Sequence, residues 1–244
     1  MEKPIILLTG ASRGIGHATV KRFSDDGWRV ITCSRDDVPP ECKRDPNWTR
    51  HITADLADAD NLDDFIAEVK DELAGAPLQA LVNNAGVSPK APFQERLGCL
   101  NGDLADWRSV FQLNFFTPVT LGRALAPALA QGKGAIVNVT SIAGHKVHPF
   151  AGSAYATSKA ALSALTREMA VEFAQIGVRV NAVAPGEIET AMLSPNTDVL
   201  IPRIPLQKLG TPDDVAATIL YLCKPDSVYI TGTEIFVTGG QHLY

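Results

Sequence analysis

The apolar run Pro4-Ile5-Ile6-Leu7-Leu8-Thr9 leads straight into Gly10-Ala11-Ser12-Arg13-Gly14-Ile15-Gly16, and no other stretch narrows the fold as much. A continuous apolar run reads as a strand buried on both faces, as in a parallel sheet. Val20 and Phe23 follow at helical spacing up to a stop at Gly27, and Arg29-Val30-Ile31-Thr32-Cys33-Ser34 reads as a second strand. A helix between two parallel strands must cross over the sheet. In such a unit the first turn aims helix N-terminal amides at a pyrophosphate. Gly10 frees that turn, Gly14 permits close approach and Gly16 lets the helix pack. The spacing is G-x-x-x-G-x-G rather than G-x-G-x-x-G. A tight turn without a ligand is the plain alternative, but the position at the first strand-to-helix junction favours a nucleotide.

The same alternation continues to the C-terminus. Strands are expected at His51–Ala54, Leu78–Val82, Ala135–Ser141, Val178–Val183 and Glu234–Val237. Leu62, Phe65, Ile66, Val69 and Leu73 mark a helix, and a long helix over Leu104–Ala130 should kink at Pro118. Another helix runs through Tyr155 and Lys159 to about Ile176, and a last one starts at Pro212 with Thr211 as its cap. Asp36–Asn47 and Val87–Gly102 read as loops, the second long enough for a binding loop. With no linker or repeat, residues 1–244 form one α/β domain, a doubly wound Rossmann-type, mainly parallel sheet with helices on both faces.

Composition removes other classes. A net charge of −5 favours neither nucleic acid nor an anionic membrane surface. No apolar run approaches the roughly 18 residues of a membrane span, and the short N-terminal run is a strand rather than a signal peptide. Cys33, Cys42, Cys99 and Cys223 are scattered without metal-ligand spacing. They read as reduced thiols of a cytoplasmic protein, and no metal site is expected.

Tyr155 and Lys159 are four apart in an Ala/Ser-rich helical segment, so both side chains share one helix face. A phenol normally keeps its proton to about pH 10. A neighbouring ammonium favours the phenolate and turns the phenol into a usable acid.

The order of the motifs resembles the short-chain dehydrogenase/reductase family along nearly the whole chain. Thr9–Gly16 looks like its cofactor loop. Asn83-Asn84-Ala85-Gly86, Asn114, Ser141, Tyr155-Ala156-Thr157-Ser158-Lys159 and Pro185-Gly186-Glu187-Ile188-Glu189-Thr190 match its later motifs, as does Val237-Thr238-Gly239-Gly240. The resemblance implies a catalytic set of Asn114, Ser141, Tyr155 and Lys159. Ser141 would hydrogen-bond the substrate oxygen and Tyr155 would exchange the proton. Lys159 would acidify Tyr155 and hold the nicotinamide ribose, and Asn114 would hold a water behind Lys159. It implies dinucleotide contacts from Gly10, Ser12, Arg13, Gly14, Ile15 and Gly16, and from Asp55 and Leu56 at the adenine. Asn83, Ala85 and Gly86 would line the adenosine ribose and stabilise the sheet's centre. Pro185, Gly186, Ile188 and Thr190 would hold the nicotinamide.

Ser34-Arg35 follows strand two where an acid would select a 2′-hydroxyl. With Arg13 they suit a 2′-phosphate, so NADP(H) is expected, with NAD(H) as the runner-up because Asp36-Asp37 come next. Two departures stand out. Thr238 replaces an acid common in relatives, and Glu187 stands where relatives often carry an apolar residue. With His145 and His148, Glu187 could line a polar substrate pocket, and Met192 and Leu193 lie on a segment, 191–206, able to close as a lid. The resemblance therefore implies a cytoplasmic homotetrameric carbonyl reductase interconverting a carbonyl and a secondary alcohol. An NAD-dependent alcohol or polyol dehydrogenase and a non-catalytic dinucleotide sensor are the rivals.

Overall fold

A computed structural model describes residues 3–38, 45–90, 96–194 and 196–244. Cys42, Pro195 and parts of the two expected loops (39–44 and 91–95) lie outside the described residues. The strands are β1 (Ile5–Thr9), β2 (Arg29–Ser34), β3 (Trp48–Thr53), β4 (Ala80–Asn83), β5 (Ala135–Val139), β6 (Arg179–Pro185) and β7 (Glu234–Val237). They form one parallel sheet in the order β3-β2-β1-β4-β5-β6-β7. The helices are α1 (Gly14–Asp25), α2 (Ala59–Leu73), α3 (Leu104–Phe111), α4 (Thr117–Gly132), α5 (Ser153–Ala174) and α6 (Pro212–Cys223).

The unbroken apolar run of β1 is explained by two cores. Ile5 and Leu7 point to the face covered by α2, α4 and α5, where they meet Phe65, Leu121, Leu125 and Phe173. Ile6 and Leu8 point to the opposite face, against Val20 and Phe23 of α1 and Ile219 of α6. Period-two alternation therefore buries every residue of the strand. Each fully buried large side chain contributes about 1.5–3 kcal/mol against leaving it in water.

The strand order reverses at β1, whose neighbours are β2 on one side and β4 on the other. A crevice opens at such a switch point beyond the carboxyl ends of the strands. Gly10 leaves β1 and Asn84-Ala85-Gly86 leave β4 at that place.

The structure corrects one helix. Leu104–Ala130 is not a single helix kinked at proline, because a π-helical turn, Gln112–Phe116, separates α3 from α4. Pro118 sits in the first turn of α4, where a missing N–H costs nothing. The irregularity belongs to Asn114, inside the wide turn. No described helix is long and apolar enough to cross a membrane.

Candidate active site

The dinucleotide side of the crevice is made by backbone. Gly10 has φ +71°, and a Cβ on Gly16 would stand 2.0 Å from the Gly10 carbonyl oxygen, so the turn accepts no side chain there. Helix α1 begins at Arg13 in extended conformation, with no side-chain cap and no acid in its first turn. Helix α5 likewise starts at Gly152 without a side-chain cap, whereas α2 and α6 are closed. Asp58 caps α2, and Thr211 with Asp214 makes a full capping box on α6. The open amides and positive end of α1 fit a pyrophosphate.

Around this turn the cleft is lined by Ser12, Arg13, Gly14 and Ile15, then Ser34, Arg35, Asp55 and Leu56, and by Ala85 and Gly86. Pro185, Gly186, Ile188 and Thr190 line its continuation toward Tyr155. Ser34 is nearly buried, and its Oγ donates to the Asp36 carbonyl at 2.7 Å. His51, which no sequence motif marked, stands 3.3 Å from the same hydroxyl. Arg13 and Arg35 are both exposed, and among the described residues neither forms an ion pair.

Asn83 takes the sheet half of its expected role and not the ribose half. Its side chain is buried and donates to Asn138 Oδ1 at 2.8 Å, and Asn138 in turn donates to Thr166 on α5. Asn83 therefore ties β4 to β5 and does not reach the ribose side. The next residue along the strand points the other way, so Asn84 faces the cleft and ties its Nδ2 to the Thr9 and Gly10 carbonyls.

Ser141, Tyr155 and Lys159 meet in the adjoining part of the cleft. Ser141 lies two residues beyond β5, and its Oγ accepts from the Ala143 amide at 3.1 Å. Lys159 is 3 % exposed and its Nζ donates to the Val139 carbonyl at 2.6 Å. The ammonium stands 5.9 Å from the centre of the Tyr155 ring. Burial pulls Lys159 down to about 8. Tyr155 moves upward from the usual phenol value, because burial outweighs a hydrogen bond with Ser141 and the charge of Glu187 adds to it. The lysine is turned onto the Val139 carbonyl, and burial together with the charge of Glu187 moves the phenol upward.

Asn114 is fully buried behind this set. Its Oδ1 accepts from the Val87 amide, and its Nδ2 donates to the Val87 carbonyl and to Ser158 Oγ. Gly86 closes the gap between the two groups. A Cβ there would stand 3.3 Å from Asn114 Oδ1 and 3.4 Å from Lys159 Nζ.

The remaining wall is polar. His148 Nδ1 accepts from the Phe150 and Ala151 amides at 3.2 Å each, which assigns the ring proton to Nε2. Nε2 donates to Glu187 Oε1 at 2.6 Å, and Gln241 Nε2 donates to the same oxygen at 3.2 Å. Burial pushes the Glu187 carboxyl upward, but the hydrogen bond and charge of His148, the Gln241 bond and the charge of Lys146 leave it below its usual value. Met192 and Leu193 line the cleft as expected. His145 is not brought to it: its Nε2 pairs with Glu234 at 2.9 Å and its ring packs edge-on against Phe236. Thr238, the residue in place of an acid, bonds His242 Nδ1 at 2.7 Å and so serves the C-terminal packing. Lys90, Ser88, Phe150, Ser194 and Thr197 also line the cleft. They come from irregular segments, where no periodicity could single them out.

The family profile described as Enoyl-(Acyl carrier protein) reductase matches residues 10–242. The chain is a short-chain dehydrogenase/reductase. Protein FixR of Bradyrhizobium diazoefficiens is 54% identical over 244 residues, 99% of this chain and 88% of that protein. A 3-oxoacyl-[acyl-carrier-protein] reductase of Synechocystis is 34% identical over 249 residues, 98% of this chain and 97% of that protein. A crystal structure of a Brucella ovis short-chain dehydrogenase/reductase with a partially ordered NAD superposes with a TM-score of 0.83 at 50% identity, covering 97% of this chain and 100% of that one. As a short-chain dehydrogenase/reductase this chain is an oxidoreductase of a nicotinamide-dinucleotide-dependent family, and its seven-stranded parallel sheet is that family's Rossmann-like fold.

Proposed function

We propose that the protein is an NADP(H)-dependent carbonyl reductase acting in the cytoplasm on a small carbonyl compound. The observation carrying this reading is the convergence of Ser141, Tyr155 and Lys159 on a cleft continuous with the open N-terminus of α1. The dinucleotide, when bound, supplies a hydride to the carbonyl carbon or takes one from the alcohol. Gly10–Gly16 would hold its pyrophosphate, and Pro185, Gly186, Ile188 and Thr190 its nicotinamide end.

The protein's own part is proton and charge management. Ser141 donates its hydroxyl hydrogen to the carbonyl oxygen and orients it. Tyr155 gives its proton to that oxygen as negative charge develops there. Lys159, buried beside them, supplies positive charge while protonated. The upward shift of Tyr155 favours the phenol, the form that reduction needs, over the phenolate that alcohol oxidation needs. Reduction as the working direction rests on the proposed NADP(H) preference.

Arg13 and Arg35, exposed and without ion-pair partners among the described residues, support a 2′-phosphate and hence NADP(H). NAD(H) is the second reading, because Asp36 lines the same pocket and the Brucella ovis relative was crystallised with NAD. An absorbance assay of NADPH and NADH consumption over a panel of ketones tests both points. A kcat/KM at least tenfold higher with NADPH is expected, and a clear NADH preference would overturn the cofactor assignment. Tight dinucleotide binding with no turnover on any carbonyl would favour a dinucleotide-sensing protein instead.

The segment 191–206 is proposed as the substrate lid: Met192 is exposed at the cleft, whereas Leu200, in the 3₁₀ turn Thr197–Arg203, is buried and anchors it. A homotetramer is proposed, with light scattering as its test.

A further inference from the structure

Two lysines line the cleft without a described carboxylate in ion-pair distance: Lys159 at the reacting end and Lys90 on the substrate wall away from it. Lys90 Nζ donates to the Phe150 carbonyl and, at 2.9 Å, to Ser194 Oγ. It therefore spans the cleft from the segment after β4 to the segment after β6. Both partners are neutral, and an ammonium has three N–H groups, so one donor is left over. Among the described residues no carboxylate lies within ion-pair distance of it. Glu187 lines the same cleft, but its Oε1 is taken by His148 and Gln241. Its charge reaches Lys90 only from a distance, and burial still lowers the lysine from its ordinary value.

A half-buried ammonium against neutral acceptors is poorly compensated. Holding one in a ligand cleft makes physical sense when the ligand brings the counter-charge. Lys159 belongs to the reacting end and His148 is engaged with Glu187, which leaves the Lys90 ammonium as the donor free to meet a ligand charge. A single ammonium with one spare donor matches a monoanionic carboxylate better than a doubly charged phosphate. We infer that the substrate is an oxo acid, or the corresponding hydroxy acid, whose carboxylate is anchored by Lys90 while its carbonyl lies between Ser141 and Tyr155. The inference rests on the carbonyl-reductase reading and adds the substrate class to it.

The test compares 2- and 4-oxopentanoate with pentan-2-one, which carries a methyl group in place of the carboxylate of either acid. With NADPH, at least one oxo acid should exceed pentan-2-one in kcat/KM by roughly tenfold to a hundredfold, the range of a charge-assisted hydrogen bond. Lys90→Met should collapse that ratio toward one, mainly through KM, and Lys90→Arg should restore part of it. Equal or better turnover of pentan-2-one by the wild type overturns the inference and leaves the reductase reading standing. Titration of the same oxo acids into the protein–NADPH complex, followed by calorimetry, needs no turnover. Lys90-dependent binding without turnover supports the anion site and sinks the reductase reading instead. Binding unaffected by Lys90→Met, in a variant that keeps the wild-type Tm, overturns the anion site.

Discussion

Helices α1 and α6 pack side by side on one face of the sheet, yet their N-termini are finished in opposite ways. At α6, Thr211 Oγ1 accepts from the Asp214 amide, Asp214 reaches back to the Thr211 amide, and two acids stand in the first turn. At α1, Arg13 offers no cap and no acid follows it. Self-capping is worth about 0.5–2 kcal/mol to a helix, and α1 forgoes it. The end that closes on itself carries structure, and the end left open faces the cleft, where an anion can take the place of the cap. The α1–α6 contact also puts Asp213 against Arg22, a bidentate but exposed pair that adds little stability.

The comparison can be broken most severely at Gly16. Gly16→Ala puts a methyl 2.0 Å from the Gly10 carbonyl oxygen, so the turn must shift. We expect a loss of roughly 3 kcal/mol or more in denaturant unfolding, with dinucleotide binding lost. Arg13→Asp makes α1 resemble α6. It should stabilise the protein without dinucleotide by about 0.5–1 kcal/mol and weaken NADPH binding by about a hundredfold, since it caps the amides and repels phosphate. A variant that binds NADPH normally would refute the open-terminus account. Thr211→Ala is the converse: about 1 kcal/mol lost in unfolding, with NADPH affinity unchanged.

Smaller effects concern pH. Glu187→Leu removes a charge that raises Tyr155, so the alkaline limb of the pH–rate profile for ketone reduction should move to lower pH. Lys159 is lowered by burial to about 8 against an ordinary 10.5, so the unfolded chain binds more protons than the folded one between those values. The burial penalty is present in full below about 8 and fades toward 10.5. Lys159→Met should therefore raise Tm most below pH 8, with the gain shrinking across that window.

What could be read from the sequence follows the same division between backbone and loop. β2 and β7 match their expected limits, and the Thr211 cap is where the sequence places it, because alternation, apolar runs and capping are local properties. The Gly10–Gly16 loop was legible for the same reason: its glycines answer to close contacts within a few residues. The sheet role of Asn83 was legible but its ribose role was not, because a one-residue difference reverses the face and no periodicity separates Asn83 from Asn84. His145 and His148 looked alike as two histidines after Ser141. Only the tertiary contacts send one to Glu234 and the other to Glu187. Lys90 carried no local signal at all, since its partners are 60 and 104 residues away. The Tyr155–Lys159 spacing was correct as helix geometry. It could not reveal that the ammonium would be turned onto Val139 or that Glu187 would bear on the phenol.

The central claim is that Tyr155, held protonated, is the acid that completes carbonyl reduction. Stopped-flow NADPH oxidation by Tyr155→Phe on the best ketone of the panel, beside fluorescence titration of NADPH, tests it most directly. We expect turnover to fall by about a thousandfold or more while NADPH affinity stays within about twofold, consistent with loss of an acid and a substrate hydrogen bond together. Turnover within about tenfold of the wild type, with NADPH bound as tightly, would contradict the assignment.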